Sequence, residues 1–571
     1  MLYLIVYYLL ITFVSLWSGF VFYGCLGLLN GARLTPRSWI VYVLSGFISC
    51  ALFAQVAVLF IPLKLPSFLL YLTLMAFLGI ICYRWMPEPF HMFLKRLSRA
   101  KHPRKLLLVI PFIIFIMLIN SGAVLMDDTD SYHIQMIKWI QEYGTVPGIA
   151  NLHVRYGLNS SWFVTAGFLL QPFFGITPYL ALNGLLSVWA GSYLLNKIYI
   201  VYTRKPDEKK TSVLAASFVL FCLMIFCWPM IRGNPATANY DFITTFIIVV
   251  IFLESYEANK LTLFPELLIW PCFLFTVRII NYPWLLLSLL VLVYLYRIRQ
   301  NKLATICLFS ALLIVIPFLA RNIYLSGYVF YPLHQLDLFN TDWKADDRIM
   351  SAYVEFTRTF NRVNEMHLPI EETRRIPFPE WITFWYKYLS YFDKLLIIIA
   401  GASMIFMIFW KRKLKEQPAL QVIITIAMFH LLSWFIVSPD PRFAYGPLLV
   451  LIAAATICLI NEKFVGMVTR TLKISIALVV ISLVGFGFSK ALKDERYRNL
   501  AIPLKLPEPP LKKIVIDGIE FFIPEKIPGN WNPRCFNTTL PCLYELDPRL
   551  RPRGNKIQAG FTIHHSNTLT K

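Results

Sequence analysis

The chain has 571 residues, of which 57% are hydrophobic and only 15% are charged. Soluble domains carry roughly a quarter charged residues, so this composition excludes a soluble enzyme. The net charge of +22 does not indicate nucleic-acid binding, because the basic residues crowd into short loops with no domain around them. We expect a lipid bilayer, and no nucleic acid, as the partner of this protein.

Apolar blocks of about 17–25 residues recur along the chain, which is the length of a helix that crosses a hydrocarbon core. We predict an all-α polytopic membrane protein with about fourteen transmembrane helices. The membrane domain covers residues 1–490, and residues 491–571 form an extracytoplasmic C-terminal tail. The predicted spans begin near Leu2, Ile40, Ser67, Leu106, Pro178, Thr211, Phe242, Leu261, Tyr282, Leu303, Lys394, Ala419, Phe443 and Ile474.

Clusters of lysine and arginine indicate how the chain is oriented, because positive charge in short loops marks the cytoplasmic side. These clusters lie near residues 84–105, 204–210, 297–302 and 411–415. The predicted outer loops are then 126–158, 232–241, 321–392 and 438–442. If Ser160–Gly175 crossed fully, Arg204–Lys210 would lie outside, so we interpret Ser160–Gly175 as a juxtamembrane or re-entrant segment.

The first outer loop, Met126–Ser161, directly follows a predicted span, so its first residues lie at the outer membrane surface. Apolar residues at helical spacing predict a short amphipathic helix that lies along the membrane and stops at Gly144. They are Met136, Ile137, Ile140 and Tyr143, with Gln135, Lys138 and Glu142 off that face.

Three aspartates, Asp127, Asp128 and Asp130, stand at the start of this helix. The positive end of the helix dipole favours ionised carboxylates there, so we expect them to stay charged at neutral pH. Such a carboxylate can accept a proton from a sugar hydroxyl or bind a divalent cation. The alternative is that one aspartate caps the helix and the others are solvated. Their clustering at a span end, followed by Tyr132-His133, favours a functional role.

Other polar residues interrupt or border apolar runs. Ionisable groups at membrane depth are costly and usually face a polar cavity. The alternative for each arginine is that its head group snorkels to the interface, but all of these residues share the predicted outer side with Asp127, which favours a common cavity. They are Asp241, Arg278, Asn281, Arg321, Asn322, Asp440 and Arg442.

The tail contains two cysteines, Cys535 and Cys542, within the segment CFNTTLPC. In an outside segment this pair predicts a disulfide that closes a small loop; a metal site, the alternative, would need more ligands at closer spacing. The segment Ile514–Pro524 alternates like a strand around a turn at Asp517-Gly518. Nothing in the tail looks catalytic, and we interpret it as a small capping subdomain.

An acidic pair that opens the first large outer loop and is followed by an amphipathic helix resembles the GT-C class of membrane glycosyltransferases. More narrowly, the chain resembles an uncharacterised bacterial membrane-protein family associated with surface-polysaccharide gene clusters. That resemblance rests on DDTDSYH, on Arg321–Pro332, on the DWK of Asp342–Lys344 and on PDPRFAYG at Pro439–Gly446. The chain has neither the WWD-type nor the PPL-type motif of known branches, so the donor and acceptor do not carry over.

The resemblance implies an inverting hexosyl- or pentosyltransferase in the bacterial inner membrane, with its active site facing the periplasm. The donor would be a sugar on a polyprenyl-phosphate carrier, and the acceptor an envelope glycan, a lipid-linked glycan or a protein. Asp127 or Asp128 would be the catalytic base or would bind Mg²⁺ or Mn²⁺. The residues expected to bind the donor phosphate or substrate are His133, Arg155, Asp241, Arg278, Arg321, Asn322, Asp440 and Arg442.

Two other classes of protein fit parts of this pattern. An O-antigen polymerase or ligase also has many spans, a large outer loop and essential arginines, but it needs no acidic pair at the start of that loop. A polytopic lipid or sugar transporter suits the number of spans. It would be expected to show inverted repeats or paired broken helices, and neither is visible in the sequence.

Overall fold

The computed structural model describes residues 2–88, 90, 103–122, 124, 126–173, 175, 177–203, 207–226, 235–258, 264–363, 370–409, 417–461, 463, 465–493, 506, 508–525 and 534–564. Helices dominate this part of the chain, and the short strands all lie in the tail. The helices of the first half are α1 (Leu2–Asn30), α2 (Trp39–Ala57), α3 (Leu65–Cys82), α4 (Pro103–Asn120), α5 (Ile134–Glu142), α6 (Ser161–Leu169), α7 (Ala181–Thr203), α8 (Glu208–Phe221), α9 (Asp241–Ala258) and α10 (Phe264–Val277).

The second half continues the helical pattern and ends in two small hairpins. Its helices are α11 (Leu285–Arg297), α12 (Asn301–Ser326), α13 (Asp347–Val363), α14 (Ile370–Arg375), α15 (Phe378–Tyr388), α16 (Tyr391–Phe409), α17 (Pro418–Val437), α18 (Tyr445–Leu459) and α19 (Val465–Lys493). The strands are β1 (Leu511–Ile516), β2 (Ile519–Pro524), β3 (Leu550–Pro552) and β4 (Phe561–Ile563).

Eight helical segments of the described chain are long and apolar enough to cross a membrane. This confirms a helical membrane protein with many spans, whereas the predicted number of about fourteen stays a prediction. Three shorter apolar helices, Val109–Asn120, Phe264–Val277 and Tyr445–Leu459, fall below the length of a full span. The eight are Leu2–Asn30, Trp39–Ala57, Leu65–Trp85, Ile279–Arg297, Asn301–Ser326, Tyr391–Phe409, Pro418–Val437 and Val465–Phe486.

Loops that the charge pattern assigns to one side of the membrane contact one another. At the basic end, the Arg33 guanidinium donates to the carbonyl of Arg84 over 2.6 Å. At the opposite end, the backbone N–H of Leu63 donates to the carbonyl of Ile140 in the first outer loop over 3.0 Å. The Arg33–Arg84 contact and the Leu63–Ile140 contact therefore each join segments that the charge pattern assigns to the same side.

The segment Ser160–Gly175 contains a single helix of nine residues, α6. Nine residues rise about 14 Å, which is roughly half of a hydrocarbon core. Beyond α6, the Gln171 side chain donates to the carbonyl of Leu63 over 2.9 Å. Leu63 also contacts Ile140 of the first outer loop, so the chain after α6 lies at the same end of the helices as that loop. This geometry agrees with the prediction that the segment does not cross the membrane fully.

The amphipathic helix predicted after the aspartates is present as α5, but its polar face is not turned to solvent at a lipid surface. Residues from Ile134 to Gln141 are all buried. The apolar face packs so closely on α6 that a Cβ at Gly167 would lie 2.7 Å from Ile140. The polar face is covered by the C-terminal tail. The expectation of a helix lying along the membrane was wrong because its cover comes from a segment 400 residues later.

The tail folds as predicted around a hairpin and a disulfide. Strands β1 and β2 pair antiparallel, and the turn between them places Asp517 at φ 48° and Gly518 at φ 81°, as a two-residue hairpin turn requires. Cys535 and Cys542 form a disulfide. Strands β3 and β4 form a second small hairpin, and its Phe561 N–H donates to the carbonyl of Pro147 over 3.0 Å. The tail therefore caps the first outer loop.

Candidate functional site

The acidic stretch after the fourth helix forms a tight turn that leads into α5. Residues Thr129–His133 adopt a π-helical turn, a local widening that is frequent at functional sites. The Thr129 hydroxyl accepts from the backbone N–H of Ala238 over 3.1 Å. This bond fastens the turn to the loop before α9, and so brings the start of α9 next to the aspartates.

Asp128 faces two arginines from distant parts of the chain. Its Oδ1 lies 3.1 Å from Nη1 of Arg155, and its Oδ2 lies 3.9 Å from Nη1 of Arg442. Arg442 also donates to Oδ2 of Asp440 through Nε at 3.0 Å and Nη2 at 2.8 Å, so it bridges two carboxylates. The Arg155 guanidinium lies over the Tyr132 ring, 5.5 Å from its centroid. The Asp128 side chain is 32% exposed, so solvent or a ligand can reach it.

A second ion pair joins Asp241, the first residue of α9, to Arg278, which follows α10. The Arg278 guanidinium lies 3.3 Å from the centroid of the Phe443 ring and 4.9 Å from that of Tyr240. Aromatic faces attract and orient a guanidinium. Arg278 is therefore held in place on two sides by rings and at its edge by a carboxylate.

Met126 connects the two ion-pair groups. Its sulfur accepts from Nδ2 of Asn239 at 3.4 Å and lies 3.7 Å from Nη1 of Arg442. The Asn239 side chain in turn accepts from the backbone N–H of Asp241 over 2.9 Å. We call the combined set the arginine–aspartate cluster, and its members are Asp128, Arg155, Asp241, Arg278, Asp440 and Arg442.

Asp440 and Arg442 hold each other in their charged forms. Burial acts to raise the pKa of Asp440, but the Arg442 guanidinium and its hydrogen bonds hold that pKa below its ordinary value. Burial acts to lower the pKa of Arg442, but Asp440 and the neighbouring carboxylates hold it well above its ordinary value. Because the arginines stay charged and are fixed in direction, their remaining N–H groups can bind an anion such as a phosphate.

The structure separates Asp127 from Asp128, although the sequence offered them as equivalent. The Asp127 side chain is 82% exposed and pairs with Arg534 of the tail at 3.0 Å. Asp130 is buried and lies 3.7 Å from the same arginine. Burial raises the pKa of Asp130 to about 7, with Arg534 lowering it and Asp127 adding to the rise. The expectation that all three aspartates stay fully charged at neutral pH was therefore wrong for Asp130.

His133 lies in an aromatic cluster and has no charge to offer a phosphate. Its ring centroid is 5.1 Å from that of Phe163 and 5.7 Å from that of Tyr240. Burial is the main cause that lowers the pKa of His133 to about 3, and the nearby arginines lower it further while Asp128 opposes them. The neutral ring of His133 packs against Phe163 and Tyr240, so the structure does not favour the role in phosphate binding that was predicted for this residue.

Arg321 and Asn322 have other contacts than the cluster. Arg321 is buried and hydrogen-bonds to the side chain of Asn159. Asn322 donates to the carbonyl of Val329 over 2.7 Å, and its own carbonyl accepts from the hydroxyl of Ser326 over 2.8 Å. The bonds of Asn322 shape the turn after α12, and the bond of Arg321 joins that helix to the first outer loop.

Helix α13 lies beside the cluster and brings a tyrosine that the sequence did not single out. Tyr353 interacts electrostatically with Arg155 and Asp128. The far end of the helix is tied to the end of α17, just before the loop that carries Asp440, because Arg362 donates to the carbonyl of Ile436 over 3.1 Å. The signal that could have identified this helix is its aromatic stripe, since Tyr353, Phe356 and Phe360 recur at helical spacing.

The cluster does not fit a divalent cation held by protein side chains alone. Both oxygens of Asp128 face arginines, and an Asp127 oxygen is paired with Arg534. In the described part of the chain, no three histidine, cysteine or acidic side chains come together as metal ligands. We therefore derive no catalytic step through a metal ion.

A family model described as "Domain of unknown function (DUF8201)" matches residues 1–449 of this chain. Comparison with curated proteins gives no match, and comparison with solved structures gives none either. The family match includes every residue of the arginine–aspartate cluster and ends before the disulfide-containing tail. Because it covers more than half of the chain, the protein belongs to the DUF8201 family.

Proposed function

We propose that this protein is a membrane glycosyltransferase that moves a sugar from a polyprenyl-phosphate carrier to a hydroxyl acceptor at the outer membrane surface. The observation that carries the proposal is the placement of Asp128 between Arg155 and Arg442. A reachable carboxylate beside fixed guanidinium groups suits a reaction in which a hydroxyl loses a proton while a phosphate departs.

In the proposed reaction the acceptor oxygen attacks the anomeric carbon, and the bond between that carbon and the phosphate oxygen breaks. The hydroxyl proton passes to Asp128, and the electron pair of the broken bond leaves with the lipid phosphate. Direct displacement inverts the anomeric configuration. The phosphate is a good leaving group, so the reaction needs a base and stabilisation of negative charge more than it needs a strong acid.

The arginines would have distinct tasks in this scheme. Arg442 faces Asp128 and Asp440, and Arg278 is held between two rings; both have the planar fork that suits phosphate. Arg155 is paired to Asp128 and would orient the base.

The test is a transfer assay with the full-length protein in lipid nanodiscs, using polyprenyl-phosphate-linked sugars and glycan, lipid or peptide acceptors. We expect transfer with inversion, and we expect Asp128→Asn to lower it by about 10²-fold or more, the scale of a lost base. Asp337→Asn is the matched control, because Asp337 is a partly exposed carboxylate of the outer loop that pairs with Lys344. Transfer that is equal in both variants would remove Asp128 from the mechanism.

The same assay separates the proposal from a polymerase or ligase of envelope glycans, which the arginines of the cluster also suit. Such an enzyme would leave polyprenyl-phosphate monosaccharides untouched and would join preassembled glycans on a lipid diphosphate. It would also tolerate Asp128→Asn. Movement of the lipid-linked sugar across the membrane without any new glycosidic bond would instead favour a transporter.

A further inference from the structure

The disulfide loop of the tail, residues 535–542, is fastened to the polar face of α5. The Lys138 ammonium donates to the carbonyl of Thr538 over 2.6 Å and to that of Asn537 over 3.1 Å. The Gln135 side chain donates to the carbonyl of Phe536 over 2.9 Å. Within the loop, the Thr538 hydroxyl donates to the carbonyl of Cys535 over 2.7 Å. Buried donors on α5 therefore bind the loop through its backbone.

The first end of the loop reaches the acidic turn. Arg534 directly precedes Cys535, and its guanidinium lies 3.0 Å from Asp127 and 3.7 Å from Asp130. The backbone N–H of Phe536 donates to the carbonyl of Asp130 over 2.9 Å. Arg534 thus bridges the carboxylates on either side of Asp128 in the sequence, while Asp128 itself faces the arginine–aspartate cluster.

The second end of the loop reaches the segment that carries Arg155. The Tyr156 hydroxyl donates to the carbonyl of Cys542 over 3.1 Å. The Tyr544 ring packs on His153, with 4.6 Å between centroids. The disulfide therefore closes a short bridge between the turn that bears Asp128 and the turn that bears Arg155.

We propose that Arg534 is a positioning residue of the site, and that the disulfide loop holds it against Asp127 and Asp130 so that Asp128 points at Arg155. The role in catalysis rests on the proposed function; the role in holding the turn does not. Arg534 offers its guanidinium to both acidic neighbours of Asp128 and so holds the two carboxyl groups of this turn in place. The loop restrains the two sides of the Asp128–Arg155 pair, so breaking the disulfide loosens both.

The variants that test this are Arg534→Gln, Arg534→Lys and the double change Cys535→Ser with Cys542→Ser. The matched control is Arg553→Gln. Arg553 is a tail arginine that pairs with Asp342 at 2.7 Å and lies over the Trp343 ring at 4.7 Å. It makes the same kind of contact between tail and outer loop, away from the acidic turn.

The first measurement is hydrogen exchange of the peptide that contains residues 127–133, in the full-length protein, as a function of pH. We expect Arg534→Gln and the double cysteine variant to exchange at least about tenfold faster there, which is one decade of local opening, while Arg553→Gln matches the wild type. Arg534→Gln should also raise the pKa of Asp130, because Arg534 lowers it. Protection against exchange should change with pH only up to the pKa of Asp130, so the pH at which this change ends should rise in Arg534→Gln. Arg534→Lys should restore that pH.

An arginine that does not act on the Asp130 carboxyl would not shift this pH, so wild-type exchange and an unshifted pH in Arg534→Gln would overturn the proposal. The second measurement is transfer, where we expect Arg534→Gln to lower the turnover rate more than it raises the Michaelis constant for donor. If the wild-type protein shows no transfer at all, the proposed function fails, and the exchange experiment still decides the position of Arg534.

Discussion

Asp128 and Arg155 form an ion pair with 3.1 Å between Oδ1 and Nη1, and each lies in a turn that the C-terminal disulfide loop contacts. The pair is separated by 27 residues within one outer loop. Arg442, from a loop more than three hundred residues later, approaches the other oxygen of Asp128. Three segments therefore determine the position of this carboxylate: the turn that carries Arg155, the loop that carries Arg442 and the disulfide loop of the tail.

The two adjacent aspartates should differ strongly in their effect on transfer. Asp127 is 82% exposed and paired with the tail, whereas Asp128 belongs to the cluster. We expect Asp128→Asn to lose about 10²-fold or more in transfer, and Asp127→Asn to lose far less. Transfer rates of the two variants at saturating donor give the comparison. A greater loss in Asp127→Asn than in Asp128→Asn would indicate that Asp127, and not Asp128, is the base.

Arg442→Lys should impair use of the donor although it keeps the positive charge. Arg442 contacts Asp440 through two nitrogens and approaches Asp128 with the third. A single ammonium group cannot reproduce that geometry. We expect a raised Michaelis constant for the polyprenyl-phosphate donor, measured from initial rates over a range of donor concentration. Arg358→Lys, at an exposed position of α13, should behave as the wild type. Identical plots of initial rate against donor concentration for Arg442→Lys and Arg358→Lys would show that Arg442 only anchors its segment at the membrane interface.

The predicted orientation can be tested by labelling introduced cysteines in intact cells with an impermeant thiol reagent. Asn340 and Asn555 are exposed in the outer loop and the tail, and Lys302 is exposed at the start of α12, next to a basic loop. We expect Asn340→Cys and Asn555→Cys to be labelled above the background of the parent protein, and Lys302→Cys to be labelled only after the membrane is permeabilised. Labelling of the Lys302 variant alone would reverse the topology and place the cluster on the cytoplasmic side.

Much of the architecture could be predicted from local sequence. Span length and loop charge depend on residues close together in the chain, and so does the hairpin turn at Asp517-Gly518. Pairing of Cys535 with Cys542 was accessible for the same reason, because the two residues are near neighbours. The inference that polar residues at the outer span ends share one region was correct for Asp241, Arg278, Asp440 and Arg442.

The remainder depends on long-range packing that a single sequence does not reveal. Arg321 ends an apolar run just as Arg442 begins one, yet only Arg442 approaches Asp128. The role of Arg534 could not be predicted from the residues next to it in the sequence, because its partners lie about 400 residues earlier. Its place directly before a disulfide-bonded cysteine was the available signal, since a disulfide restrains the residue beside it.

The pKa of Asp130 gives the docking of the tail a defined pH dependence. Burial raises this pKa from its ordinary 3.8 to about 7, and the Arg534 guanidinium of the tail opposes the rise. We expect undocking of the tail to expose Asp130 to solvent, so that its pKa returns towards the ordinary value. The docked state therefore binds a proton more tightly than the undocked state, and by linkage protonation favours docking. Protection of α5 should be greatest below about pH 4, should decline as the pH rises towards 7, and should then stay level.

Asp130→Asn removes the titrating group and keeps the shape of the side chain, so it should abolish this decline. Hydrogen exchange of α5 peptides, corrected for the intrinsic effect of pH on exchange, measures the protection. Arg534 and Asp127 are the charged groups that act on Asp130, and both remain in this variant, so the comparison isolates the Asp130 carboxyl. At pH 8 the variant should be better protected than the wild type, because it no longer buries a charge there. The same decline with pH in Asp130→Asn would show that another group controls docking of the tail.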